Sequence, residues 1–256
     1  SPHPLDLLWF DPRGMAPKVE GLPLDKCFHN IDVVTFRSGW DDPKCLFIGF
    51  KGGDNRANHS HLDLGTFVLD ALGHRWAVDL GADNYNLPGY FGKQRWSYYR
   101  LRTEGHNTIT LNDENQNPSA RAPIIKFESS EDRASATADL KAAYPQYASK
   151  FLRTVSLINR SEVLIVDEIE AAQPVEVTWR LHTPAEVEIS GETALLTQNG
   201  DKLWMEVLEP EDAILEVHEV QIPPPQNPVK GIRRIEARLK QKVNSTRIVI
   251  RFIQDL

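Results

Sequence analysis

HSHLDLGTFVLDALGHRWAVDLGADNY, residues 59–85, and RWSYYRLRTEGHNTITLN, residues 95–112, decide the fold class. Strand side chains alternate between two faces, so parity in an extended segment is a statement about direction. Read as strand, His59, His61, Asp63 and Gly65 share one face, and Leu62, Leu64 and Val68 take the other. In the next segment Trp76, Val78 and Leu80 oppose Asp79. In the third, Asn107, Ile109 and Leu111 oppose His106, Thr108, Thr110 and Asn112. Three neighbouring strands of this kind would bring His61, Asp79 and His106 to one polar face. Two imidazoles and a carboxylate suit a divalent metal, zinc first, with a position left for water.

Outward from this stretch, short runs rich in Val, Ile, Phe and Thr continue between Gly, Asp and Asn turns. IDVVTFRS (31–38) and CLFIGFKG (45–52) precede it. FLRTVSLIN, a short polar turn and VLIVDEIEA (151–171) form a β-hairpin pattern. Seven further strands follow up to residue 254, interrupted at 223–228 by PPPQNP, a rigid polyproline-like loop. Residues 131–147 fit either a strand or a short helix. Many short strands, little helix and no fixed-period repeat predict an all-β protein, a large antiparallel β-sandwich over residues 28–256. Residues 1–27 read as a linker or covering segment dense in Pro and Gly, with one helical turn over 4–10 as the end of a preceding element.

The 256 residues carry a net charge of −7 and 41% hydrophobic residues. That charge argues against a nucleic-acid surface, although Arg95, Arg100 and Arg102 form a local basic cluster. No apolar run is long enough to span a bilayer as a helix. Cys27 and Cys45 lack CxxC spacing and read as either two free thiols or one disulfide. The chain begins without Met and without a signal-peptide pattern, which suggests a processed or truncated start.

The HxHxDxG motif at 59–65 together with GHNT at 105–108 resembles the signature of the heparinase II/III-like polysaccharide lyases. The later hairpin and VTWRLHTP (177–184) resemble the same domain, so the likeness covers about residues 28–255. The resemblance implies a C-terminal β-sandwich that packs on an N-terminal α/α-toroid, a domain this chain does not include. It implies β-elimination on a uronic-acid polysaccharide of the heparan sulfate or alginate kind, and a periplasmic or secreted location. It also implies one zinc at His61, Asp79 and His106, bracing the loops of the cleft floor. An isolated sandwich is expected to be inactive or weakly active, because the toroid carries further catalytic groups.

Within that frame His59 is the candidate for the substrate side of the site, with a fourth metal ligand as its other reading. β-Elimination needs a base for the C5 proton and an acid for the C4 oxygen, and a tyrosine of lowered pKa serves either role. Tyr90 and Tyr98 are the candidates, each weighed against simple packing. Arg100 is the candidate for bidentate binding of a carboxylate or sulfate, against a salt bridge to Glu104 or Asp83. Asp63 is expected to orient a ligand imidazole, and Asn107, facing away from His106, reads as structural. A non-catalytic carbohydrate-binding module and a metal-dependent hydrolase are the alternative functions.

Overall fold

The computed structural model describes residues 13–254, so the helical-turn reading at 4–10 lies outside the described residues. The chain is an antiparallel β-sandwich, with no α-helix among the described residues. A five-stranded sheet runs β1 (Lys26–Phe28), β2 (Val33–Arg37), β3 (Phe47–Lys51), β5 (Phe67–Ala71) and β6 (His74–Ala77). β4 (Gly53–Asp54) pairs only with β8 (Arg121–Ala122). A four-stranded sheet has the order β17 (Ile214–Glu219), β18 (Arg233–Arg238), β13 (Val177–Thr183), β7 (Ile109–Leu111). The eight-stranded sheet begins with β14 (Glu186–Ser190), β15 (Thr193–Gln198), β16 (Asp201–Glu209) and β19 (Val243–Ile253). It continues through β12 (Glu162–Val175), β11 (Ala148–Ile158), β10 (Arg133–Asp139) and β9 (Ile124–Ser129).

The sequence pattern explains these layers. In β12, Val163, Ile165, Asp167, Ile169 and Ala171 alternate inward and are buried. β13 is buried at every position, as expected of a strand covered on both faces. The three larger sheets meet around Phe67, whose ring lies 6.0 Å from Trp179 of β13 and 6.1 Å from Phe252 of β19. The five- and four-stranded sheets abut where the Val78 amide donates to the His182 carbonyl at 2.9 Å. That junction holds the segment leading to Asp79 beside β13, which in turn pairs with β7, the strand that follows His106.

Residues 131–147 resolve into β10 and a 3₁₀ turn, Lys141–Ala143. The first strand starts at Lys26, two residues inside the segment read as a linker. The two cysteines are unpaired, with Cys27 buried.

Candidate metal centre and cleft

The three segments that carry His61, Asp79 and His106 are loops, which corrects the three-strand reading. Residues 59–66 turn twice, with the Ser60 amide on the Ala57 carbonyl at 3.1 Å and the Thr66 amide on the Asp63 carbonyl at 3.0 Å. φ is +60° at His59 and +83° at Gly65, so the backbone leaves the extended region. The amides of Leu62 and Leu64 go to the Leu101 carbonyl and the Gln116 side chain instead of a strand. Asp79 lies two residues beyond β6, and His106 ends the 3₁₀ turn Thr103–Gly105 just before β7.

The convergence itself holds. One ligand atom each from His61, Asp79 and His106 can be chosen so that all lie within 4.8 Å of one another. The two imidazole rings are 5.2 Å apart, and His106 Nδ1 is 2.9 Å from an Asp79 carboxylate oxygen. The loops are fixed by what they bury. Leu62 and Leu64 are fully buried behind His61. A Cβ on Gly105 would stand 2.0 Å from the Tyr99 carbonyl oxygen, so the turn into His106 admits only glycine.

Burial, reinforced by the neighbouring His106, pushes His61 down to about 4, which leaves its ring neutral and ready to ligate at pH 7. Burial also opposes charge on His106, but the hydrogen bond and charge of Asp79 outweigh it and raise that ring. Asp79 pays its own desolvation penalty and is still held far below the usual carboxylate range by His106. His106 Nε2 is buried without any hydrogen-bond partner. An orphaned imidazole nitrogen beside a second imidazole and a carboxylate fits the donor set of a zinc ion.

The cluster borders an open cleft of about 430 Å³ that Lys51, His59, His61, Asp63 and Asp79 line together. His59 is exposed. Its ring stacks on Tyr85 at 5.8 Å, meets the edge of Phe91 at 6.1 Å, and places Nδ1 3.5 Å from the Tyr85 hydroxyl. Asp63 pairs with Lys51 at 2.5 Å, so its carboxylate does not orient an imidazole as expected.

The other candidates stand elsewhere. Tyr90 is buried in a cluster with Leu87, Tyr98 and Leu101, and its hydroxyl accepts from the Asp83 amide at 3.4 Å. The Tyr98 hydroxyl donates to the Pro88 carbonyl. Arg100 donates to the Leu80 carbonyl and lies 3.7 Å from Asp83, which agrees with the salt-bridge reading. None of the three lines the cleft. Tyr85, which reads from the sequence only as one aromatic of the 82–94 loop, is the tyrosine beside His59, and Lys51, not singled out from the sequence, is the cleft's cation. Arg95 was noted only as part of a cluster, yet it clamps the loop by donating to the carbonyls of Ser60, at 2.6 Å, and Tyr90. No periodicity marks these three, because Tyr85 and Arg95 act from loops and Lys51 reads as the polar end of β3.

Comparison with known proteins agrees with this architecture. The profile of the family described as heparinase II/III-like, C-terminal, matches residues 43–252, and the chain belongs to that family. A heparin-sulfate lyase of Pedobacter heparinus is 30% identical over 171 residues, which is 66% of this chain and 24% of that protein. The crystal structure of heparan sulfate lyase HepC from Pedobacter heparinus superposes with a TM-score of 0.74 at 20% identity, covering 92% of this chain and 37% of that one. A crystal structure of heparinase III gives 0.74 at 16% identity, over 91% and 37%. The chain thus spans about a quarter to two fifths of the length of these relatives.

Proposed function

We propose that this chain is the sandwich part of a polysaccharide lyase that cleaves a uronic-acid polysaccharide, of the heparan sulfate or alginate kind, by β-elimination. The observation that carries the reading is the cleft that His59, His61 and Asp79 line together, with Tyr85 beside His59 and His106 beside Asp79. His59 and Tyr85 stand 3.5 Å apart, so one can accept the C5 proton while the other donates to the departing C4 oxygen. This moves the tyrosine role from Tyr90 and Tyr98 to Tyr85. Lys51 supplies the cation that Arg100 was expected to supply, since it faces the same cleft.

His61, Asp79 and His106 would hold zinc, which when bound braces the three loops and adds positive charge to a cleft meant for an anion. Without it the cleft holds one lysine against the two carboxylates Asp63 and Asp79, a poor setting for a uronate. The reaction is proposed to need a helical toroid domain against this face, and a periplasmic or secreted setting suits a polymeric substrate.

The test joins the chain to such a domain in the full-length protein and follows the ultraviolet absorbance of a C4–C5 unsaturated uronate. Wild type should form it, and His59→Ala and Tyr85→Phe should each lower kcat about a hundredfold. Saturated reducing ends that vanish on chelation would instead identify a hydrolase. Binding of the polysaccharide without any product would identify a carbohydrate-binding module.

A further inference from the structure

Asn107 is fully buried and its side chain is completely hydrogen-bonded. Its amide nitrogen donates to the Phe67 carbonyl at 2.8 Å and to the Val78 carbonyl at 3.0 Å. Its side-chain oxygen accepts from the His182 backbone amide at 2.7 Å and lies 3.2 Å from His182 Nδ1. Its own backbone amide reaches the Thr66 hydroxyl at 3.3 Å. Its carbonyl accepts from Arg153 Nη1 at 3.1 Å, and the same nitrogen donates to the Gly65 carbonyl at 2.7 Å.

These contacts fall beside each ligand. Val78 precedes Asp79, Asn107 follows His106, and Gly65, Thr66 and Phe67 close the loop that carries His61. The partners of Asn107 are themselves held. Since Asn107 Oδ1 accepts from His182 Nδ1–H, His182 Nε2 is the acceptor for the Tyr99 hydroxyl at 2.9 Å, which in turn accepts from Arg234 at 3.1 Å. Arg153 is bidentate with Asp167, both fully buried.

We propose that Asn107 is the positioning residue of the metal centre, setting the spacing of the three ligand loops by cross-linking their backbones. The inference rests on the reading of His61, Asp79 and His106 as that centre. An amide is needed because only it presents two donors and an acceptor at once in this volume. Aspartate has the same shape but turns a carboxylate toward two carbonyl oxygens.

The test measures the zinc dissociation constant of the purified chain by chelator competition, with the visible spectrum of the cobalt(II)-substituted protein as a second readout. Asn107→Asp, still folded by circular dichroism, should bind zinc about tenfold to a hundredfold more weakly and alter the cobalt bands. Ile165→Val, buried in β12 and making none of these hydrogen bonds, should lower the thermal midpoint by a few degrees with zinc affinity and cobalt bands unchanged. Should Asn107→Asp fail to fold, His182→Gln decides, with an expected weakening of at least about threefold. Folded variants that bind zinc as wild type does, with the same cobalt spectrum, overturn the positioning role and leave the metal centre standing. A wild-type chain that binds no zinc overturns both.

Discussion

Among the described residues, two clusters each bring a histidine-and-carboxylate set within metal-binding distance, and they differ in what is left over. In the first, His61, Asp79 and His106 border an open cleft, and the buried His106 Nε2 has no partner. In the second, Glu216, His218 and Glu236 are as close together, but Glu236 is already taken by Arg180 at 2.8 Å, Arg234 at 3.0 Å and Arg238 at 2.5 Å. A buried carboxylate saturated by three guanidinium groups has no lone pair directed at an ion and would bring three positive charges to the site. Proximity is therefore a weak criterion, and unsatisfied bonding capacity in a cleft is the sharper one.

The largest effect should come from the saturated cluster. Glu236→Ala removes the buried partner of Arg180, shared with the half-buried Arg234 and Arg238, and should cost about 3 to 5 kcal/mol in denaturant unfolding, with zinc content unchanged. A loss of zinc there would erase the distinction between the clusters.

The open cluster should respond to metal more than to truncation. Chelation should lower the stability of wild type by about 2.7 kcal/mol relative to zinc at a hundred times its dissociation constant, and leave His61→Ala unaffected. Equal responses in a thermal melt would contradict a site at His61.

The sandwich tyrosines separate the same two roles. Tyr98→Phe removes the hydroxyl that donates to the Pro88 carbonyl and should cost about 1 kcal/mol of stability. Tyr85→Phe, half-exposed, should stay within about 0.5 kcal/mol of wild type while elimination by the full-length protein falls. A stable Tyr98→Phe together with an unstable Tyr85→Phe would reverse the assignment.

Acid titration gives the smallest signal. Burial opposes the charge on Glu236, but Arg180 leads the groups that hold its carboxyl below the usual range. The stability this contributes is present above the unfolded value near 4.5 and lost as pH falls through the lower folded value. Glu236→Gln should therefore flatten the stability curve below about pH 4.5. An unchanged acid limb would mean that the carboxylate is not charged in the fold.

The fold was legible because long strands such as β11 and β12 alternate strictly and a short polar turn joins them. The convergence of His61, Asp79 and His106 was legible too, but for another reason than parity. His59 to Thr66 alternates in hydropathy because Leu62 and Leu64 anchor a loop in the core, and a buried loop can mimic the period of a strand. Tyr85, Lys51 and Arg95 were not legible as site residues. Tyr85 and Arg95 reach His59 and the Ser60 carbonyl from loops that lie far along the chain, and Lys51 reads as the polar end of an ordinary strand. Asn107 read correctly as structural, although nothing local showed that its partners flank all three ligands.

The most direct test is elemental analysis of the purified chain beside His61→Ala and His106→Ala. The structure leads us to expect about one zinc per wild-type chain, lost in both variants with the fold retained. A folded wild-type chain without metal would contradict the centre and leave His61, Asp79 and His106 as a hydrogen-bonded polar face.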